Sequence, residues 1–320
     1  MPDLYGAIDL GGTNVRAIVA GLDGKINGED RRPSRASDGL DATIETLLAS
    51  LAKACSQAGA EASDLRGLGV ATPGWVDTEG GIVPAAPQLV GWRDVPLVEM
   101  LQESLGVTVR LENDANAAAL GENVFGAGRG TRHMLYITVS TGVGAGIIAD
   151  GRLYGGAKGS AGEIGHTIVD PDGPPCGCGK RGCLESLSSG TAIARRAAQA
   201  VDRGESPALA AIKERDGRLG ARFVADAARQ GDAASIAIYE DAGYFLGIAL
   251  ANAVNLLSPE AIVLGGGVMQ AKDLFLPRAE ETMRDRALDE PLSYMRLAEA
   301  ELGDRAGVMG MIARLGQPAD

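Results

Sequence analysis

Aromatic residues, histidine and clusters of positive charge are scarce in this sequence. Only 4% of its 320 residues are aromatic, and two are histidine. The formal net charge is −12 at pH 7, and the sequence pI is about 4.8. Such a charge repels nucleic acid and anionic lipid, and no lysine or arginine cluster overrides it. We therefore expect neither a nucleic-acid partner nor a membrane partner.

Signals for secretion and membrane insertion are also missing. The N-terminal residues lack the basic region followed by an apolar one that marks a secretory signal. The most apolar stretch, residues 244–257, is interrupted by Asn252 and Asn255 and is shorter than the roughly 20 residues that cross a bilayer. This stretch is expected to be a buried helix. The sequence therefore predicts a cytoplasmic protein.

The composition is typical of a folded protein with more than one core. Hydrophobic residues make up 45% of the chain and charged residues 22%, which is ordinary for globular domains. A chain of 320 residues exceeds what one core usually supports. We expect a smaller N-terminal α/β domain, residues 1–117 plus 301–320, and a larger C-terminal α/β domain, residues 118–300. Alternating helix and strand patterns predict largely parallel sheets covered by helices.

The two halves of the chain open in the same way. An apolar run, a glycine turn, a second apolar run and an Asp-Gly hairpin signal follow one another over residues 5–24. The same order returns over residues 134–151. The match in residue type and spacing indicates an internal duplication.

Three glycine-rich turns follow predicted strands, where α/β proteins bind ligands. Glycine lets backbone N–H groups approach a polyphosphate closely. None of the turns is a Walker A loop, and none is expected to open a helix as the dinucleotide fingerprint does. A single such turn is more often a structural hairpin, but three of them indicate phosphate binding. The candidate phosphate-binding residues are Gly11, Gly12, Thr13, Asn14, Ser140, Thr141, Gly142, Gly144, Gly265, Gly266 and Gly267.

One imidazole and three thiols lie close together in the sequence, at His166, Cys176, Cys178 and Cys183. A Cys₃His set can bind Zn²⁺ tetrahedrally with no open position, so such a metal would be structural. It would order a loop whose Asp-Pro-Asp-Gly-Pro-Pro segment has little helix or strand tendency. The alternative is a surface loop with free thiols. Cys55 is expected to be buried packing rather than a ligand.

The glycine turns resemble those of the actin/hexokinase/Hsp70 class of ATPases, in which the nucleotide lies in a cleft between two related domains. The resemblance implies an α/β, ribonuclease H-like fold with duplicated mixed sheets. The first two turns would hold the phosphates of ATP, and the third would lie beside the adenosine. Asp9 would face Mg²⁺, and it is the only acid in an otherwise apolar strand. Alternatively, Asp9 accepts N–H bonds within its turn.

The segment from His166 through Cys183-Leu-Glu185 resembles the signature of ROK proteins, which comprise bacterial sugar kinases and related repressors. The likeness extends through residues 7–14, 72–74, 112–116 and 262–267. It implies that Asp114 takes the proton from the attacking hydroxyl. It also implies that the sugar is held by Gly74, Asn113, Asp114, Glu163, His166 and Glu185. Alternatively, Asp114 is only a helix cap.

The family resemblance implies ATP-dependent phosphoryl transfer to the 6-hydroxyl of a hexose, with glucose preferred because residues 183–196 look most like bacterial glucokinases. Kinases for N-acetylmannosamine, N-acetylglucosamine or fructose are alternatives, as is a non-catalytic nucleotide-binding protein. A sugar-sensing repressor would need an added helix-turn-helix, whereas the first strand is predicted to begin by Tyr5. A homodimer is expected because relatives form them.

Overall fold

The computed structural model describes residues 3–317, which divide into two compact units. Unit 1 contains the described residues up to Tyr136, Gly146–Gly162 and the described residues from Ala300 onward. Unit 2 contains Ile137–Ala145 and Glu163–Glu299. The domain boundaries expected from the sequence remain a prediction.

Strands and helices follow one another as in other α/β proteins. The strands are β1 Tyr5–Leu10, β2 Asn14–Ala20, β3 Ile26–Pro33, β4 Leu68–Thr72, β5 Trp75–Asp77, β6 Ile82–Ala85, β7 Arg93–Val95, β8 Val109–Asn113, β9 Met134–Val139, β10 Val143–Ala149, β11 Arg152–Leu153, β12 Ala261–Gly265 and β13 Arg296–Glu299. The helices are α1 Leu40–Ala58, α2 Leu97–Leu105, α3 Asp114–Phe125, α4 Glu185–Ser188, α5 Gly190–Asp202, α6 Pro207–Asp216, α7 Ala221–Arg229, α8 Ala233–Leu257, α9 Lys272–Arg286, α10 Asp289–Leu292 and α11 Ala306–Gly316.

The two five-stranded sheets share one strand order. The first is ordered β3-β2-β1-β4-β8 and the second β11-β10-β9-β12-β13. In the first, β1 is antiparallel to β2 and parallel to β4, which is parallel to β8. In the second, β10 and β11 are antiparallel, whereas β12 and β13 are parallel. The repeated order confirms the predicted duplicated mixed sheets, and the antiparallel hairpin strands correct the expectation of largely parallel ones.

Both faces of the first sheet are buried. Successive side chains of a strand point to opposite sides of the sheet, so neighbours in β1 belong to different faces. Ile8 belongs to a buried cluster with Leu47 of α1. Ala7, its neighbour in β1, belongs to a different cluster with Val308 and Ile312 of α11. The last helix, α11, therefore covers one face of the sheet in unit 1.

Helix α8 is long and apolar enough to satisfy a simple test for a membrane span. Its mean hydropathy is 1.2 over an 18-residue window, and half of that window is buried. Gly243 and Gly247 lie against carbonyl groups of α9, so the two helices pack closely. These contacts are those of a core helix in unit 2.

A small antiparallel sheet of β5, β6 and β7 was not predicted. Its strands have three or four residues each, which is too short for an alternating pattern to be recognised. The sheet belongs to unit 1.

A buried carboxylate, that of Glu122, joins the end of α3 to the segment before α11. Its Oε2 atom accepts hydrogen bonds from the backbone N–H groups of Ala127, at 2.8 Å, and Glu301, at 3.1 Å. Its Oε1 atom accepts one from Leu302 at 2.8 Å. Both oxygens of Glu122 therefore accept hydrogen bonds. An amide side chain, with one oxygen and one NH₂ group, could not replace both acceptors.

We expect Glu122→Ala to lower the free energy of unfolding of unit 1 by about 3 kcal/mol or more, because three backbone donors would lose their acceptor. Glu122→Gln should also destabilise, because either amide orientation sets an NH₂ group against an N–H. Urea unfolding followed by tryptophan fluorescence gives a signal from this unit, since both tryptophans of the sequence, Trp75 and Trp92, belong to it. The control is Glu103→Gln on the exposed side of α2. An unchanged midpoint in both Glu122 variants would contradict the expectation.

Candidate active site

The junction of β8 and α3 holds Asn113 and Asp114. Asn113 caps α3, and its Oδ1 atom accepts from the backbone N–H groups of Ala115 at 2.9 Å and Asn116 at 3.2 Å. The capping role considered for Asp114 thus belongs to its neighbour. Asp114 is the first residue of the helix, and its Oδ1 atom accepts from the Ala115 N–H at 2.8 Å.

Gly74 lies beside Asn113. The Nδ2 group of Asn113 donates to the Gly74 carbonyl at 3.2 Å. Gly74 has a φ of 92°, and a Cβ there would collide with the backbone of Ala85. Only glycine fits this position without strain. Three of the predicted sugar-binding residues, Gly74, Asn113 and Asp114, therefore lie together in unit 1.

Glu112 was missed by the sequence analysis. It is 4% exposed, and its Oε1 atom accepts from the Asn113 N–H at 3.0 Å and from Asn116 Nδ2 at 3.1 Å. Asn116 is itself only 3% exposed. The spacing of Glu112 and Asn116 was visible in the sequence, but their burial was not. The contact between Glu112 and Asn116 therefore stabilises the backbone at Asn113 and Asp114.

Asp9 is the only acid in the otherwise apolar strand β1, and it is only partly exposed. Burial and the nearby Asp114 carboxylate raise the pKa of Asp9 to about 7. A Cβ on Gly307, at the start of α11, would lie 2.6 Å from its Oδ2 atom. The neighbouring carboxylates of Asp9 and Asp114 offer the oxygen donors that Mg²⁺ prefers, so this pair fits the cation that the resemblance placed at Asp9.

We expect Asp9→Asn to stabilise the ligand-free protein, and more so at pH 8 than at pH 5. The folded state keeps a proton on Asp9 that the unfolded chain releases near pH 4, so wild-type stability falls as pH rises from about 4 to 7. The amide removes this loss. Each kcal/mol corresponds to roughly 2–4 °C in Tm, so we expect a gain of several degrees at pH 8.

Tryptophan fluorescence on heating without magnesium measures this difference. Asp41→Asn, an exposed position on α1, is the control. A gain in Tm that is the same at both pH values would contradict the assignment of the raised pKa to Asp9.

The predicted glycine turns lie at the ends of strands. The first, Gly11 to Asn14, joins β1 to β2 in unit 1 and is closed by a 2.8 Å bond from the Gly11 N–H to the Asn14 carbonyl. The second, residues 140–144, lies between β9 and β10 in unit 2. A bond from the Ser140 N–H to the Gly142 carbonyl closes it at 2.8 Å. Residues 140–144, which include the first two residues of β10, are called the second glycine turn.

The third turn corrects one expectation. Gly265 ends β12, Gly266 has a φ of 93°, and a 3₁₀ helix begins at Gly267 and leads into α9. This turn therefore does open a helix, contrary to the prediction. Gly266 packs against β9, where a Cβ would lie 2.7 Å from the Oγ1 atom of Thr138.

A pocket of about 400 Å³ in unit 2 brings the second and third turns together. Ser140, Thr141 and Gly267 line it, so three predicted nucleotide residues share one cavity. Its other lining residues were not predicted; they come from the starts of α5 and α7 and from the residue after the third turn: Gly190, Thr191, Ala194, Gly220, Ala221 and Val268. Helix N-termini favour negative charge, which suits a phosphate-bearing ligand.

The four predicted metal ligands converge in unit 2. The ligand atoms of His166, Cys176, Cys178 and Cys183 all lie within 4.8 Å of one another. The Cys178 and Cys183 sulfurs are 3.7 Å apart, and so are the Cys176 sulfur and His166 Nδ1. A tetrahedral site with Zn–S bonds of about 2.3 Å sets its sulfurs about 3.7 Å apart. The donor set therefore fits Zn²⁺.

The remaining sugar candidates flank these ligands. The Nε2 atom of His166 is 4.0 Å from Oε2 of Glu163, while its Nδ1 faces the thiols. Glu185 also contacts the second glycine turn: its Oε2 atom accepts from the Val143 N–H at 3.0 Å. One oxygen of Glu185 is therefore engaged with backbone.

Two sheets of one repeated strand order, with glycine turns after corresponding strands, define an actin-like ATPase fold. Residues 5–317 match the ROK family, and the chain belongs to that family.

Three relatives illustrate the range of the match. A glucokinase of Halalkalibacterium halodurans is 41% identical over 307 residues, 96% of this chain and 93% of the relative. The structure of a ROK family glucokinase from Streptomyces griseus, in complex with glucose and AMPPNP, has a TM-score of 0.81, 33% identity and 98% coverage of both chains. A putative xylose repressor of a Caldicellulosiruptor species is 33% identical over 96% of this chain and 76% of its own length.

Proposed function

We propose that this chain is an ATP-dependent hexose kinase that phosphorylates the 6-hydroxyl of glucose. The observation that carries the proposal is the array of Gly74, Asn113 and Asp114 beside Asp9 in unit 1. It combines hydroxyl-binding groups with a carboxylate pair suited to a nucleotide-bound cation. The relatives from H. halodurans and S. griseus, both glucokinases, support the same function.

In this mechanism Asp114 accepts the proton of the attacking hydroxyl. Its Oδ1 atom is held by the Ala115 N–H, which fixes the orientation of the carboxylate. Asn113 and Gly74 bind sugar hydroxyls, and Glu163, His166 and Glu185 bind others. Phosphoryl transfer depends mainly on such positioning and on charge neutralisation. Mg²⁺, held near Asp9, would supply the neutralisation.

ATP would be held by the three glycine turns. The pocket at Ser140, Thr141 and Gly267 has the size and the helix N-termini expected for part of a nucleotide. Gly11 to Asn14, with Gly142 and Gly144, would bind phosphates, and Gly265 and Gly266 would lie near the adenosine. Zn²⁺ held by His166 and the three cysteines would be structural.

Other hexoses remain the second candidate. A structural neighbour from Listeria monocytogenes is described as a putative N-acetylmannosamine kinase, although at 24% identity the likeness extends to the fold alone. The carboxylates of Glu163 and Glu185 would accept hydroxyl donors of several hexoses. Glucose is preferred because relatives of higher identity, at 41% and 33%, are named glucokinases.

A coupled assay with ATP across glucose, fructose, mannose, N-acetylglucosamine and N-acetylmannosamine tests the proposal. We expect the highest kcat/KM with glucose. Clear turnover of fructose or an amino sugar beside undetectable glucose turnover would change the substrate. Absence of turnover with every sugar, together with specific operator binding in a gel-shift assay, would favour the repressor function of the Caldicellulosiruptor relative.

Cytoplasmic location and a homodimer stay predictions. Sedimentation of the purified protein would measure its oligomeric state.

A further inference from the structure

Glu185 contacts the backbone of the second glycine turn. Glu185 follows the metal ligand Cys183 by two residues and begins α4. Its Oε2 atom accepts the Val143 N–H at 3.0 Å, within unit 2. A Cβ at Gly142 would lie 2.5 Å from this oxygen. The carboxylate thus occupies the space that a side chain at position 142 would need.

The other end of the ligand set reaches the same residue of the turn. Gly165 directly precedes the ligand His166, and it packs against the Val143 carbonyl so closely that a Cβ there would collide with it. Glu185, after the last of the four ligands, therefore contacts the N–H of Val143, and Gly165, before the first of them, contacts its C=O.

The rest of the turn is held by the start of α5. The Gly190 N–H donates to the Ser140 carbonyl at 2.7 Å. The Thr191 N–H, at 3.3 Å, and the Thr191 Oγ1, at 2.8 Å, both donate to the Thr141 carbonyl. The backbone of the turn is thus fixed from outside by residues 165–191. This segment has little regular structure before α4, apart from a 3₁₀ turn at Ile164–His166.

We propose that Glu185 is a positioning residue that transmits the order of the Cys₃His cluster to the second glycine turn, so that the cluster governs nucleotide affinity as well as sugar binding. The proposal rests on the proposed function, because it takes the turn to bind nucleotide. A metal crosslink between His166 and the cysteines restricts the conformations of the segment. Glu185 and Gly165 both contact Val143, so they restrict the backbone of the turn in the same way. The N–H groups of a preordered turn bind phosphate without first losing conformational entropy.

Calorimetric titration with ADP and Mg²⁺, in the absence of any sugar, tests the proposal. Glu185→Ala should raise the Kd for ADP by about tenfold, the effect of losing a hydrogen bond to a charged group. Glu185→Gln should stay within about threefold of wild type, because the amide oxygen can still accept the Val143 N–H. Bound zinc should be unchanged in both. Glu214→Ala, on the exposed surface of α6, is the matched control.

Removing zinc by dialysis and returning the protein to Mg²⁺ buffer should weaken ADP binding, and adding zinc should restore it. A wild-type Kd for ADP in Glu185→Ala, even with hexose affinity lost, would overturn the proposal and leave Glu185 as a sugar contact. Undiminished ADP binding by zinc-free protein would also overturn it. If wild type binds no adenine nucleotide at all, the proposed function itself fails, which is a distinct result.

Discussion

Asp114→Ala should lower hexose turnover by at least about 10²-fold, the usual contribution of a general base. The carboxylate is the group proposed to take the hydroxyl proton, and it directly follows Asn113, which is proposed to bind the sugar. Sugar binding should survive in part, because Asn113 keeps its own bonds to α3 and Gly74. Steady-state kcat and a separate titration of sugar affinity would measure the two effects.

Asp114→Asn separates the loss of the base from a loss of geometry. An asparagine can still accept the Ala115 N–H through its amide oxygen, so the start of α3 should be preserved. It should nevertheless be as inactive as the alanine variant. Removing the charge should also lower the pKa of Asp9, because the Asp114 carboxylate helps to raise it. Asp41→Ala provides a control for an aspartate at the start of a helix, and turnover that survives in both Asp114 variants would exclude this residue as the base.

Cys178→Ser should abolish stoichiometric zinc binding. Structural zinc contributes about 10–16 kcal/mol in small peptide sites, so the loss of one thiolate should release the metal. The residues between His166 and Cys183 have little regular structure, and without the crosslink they should become sensitive to protease. Metal analysis and limited proteolysis of the purified variant would measure both effects.

Cys55→Ala is the control for this variant. Cys55 is buried in the core of unit 1 and belongs to no metal-binding group found among the described residues. Its replacement should leave the zinc content unchanged. Wild-type protein purified without zinc, yet with an ordered loop, would refute the metal assignment.

The parts of the site that depend on local sequence were predictable. The four candidate metal ligands lie close together in the chain, so their spacing alone indicated the cluster that the structure assembles. Asn113 ends β8 and Asp114 begins α3, and both lie in the segment 112–116 that carries the family resemblance. The duplicated sheets were predictable because the same order of apolar runs and turns occurs twice.

Contacts between distant segments were not predictable. The pocket in unit 2 includes the starts of α5 and α7, and nothing in the local sequence of Thr191 or Ala221 relates it to Ser140. In the sequence Glu122 looks like an ordinary surface charge, and the family resemblance assigned Glu185 only to the sugar. Their functions depend on backbone donors in separate segments, at Leu302 and Val143 respectively. Only the folded chain brings these groups together.

The position of α11 affects the order in which the protein can fold during synthesis. The ribosome makes α11 long after β1, although Val308 and Ile312 of α11 pack on the sheet face at Ala7. That face is not fully covered on the nascent chain until residues 306–316 emerge. Unit 2 ends at Glu299 and has no such delay. The half that begins first is therefore completed last, and until then its apolar sheet surface is open to chaperones and to aggregation.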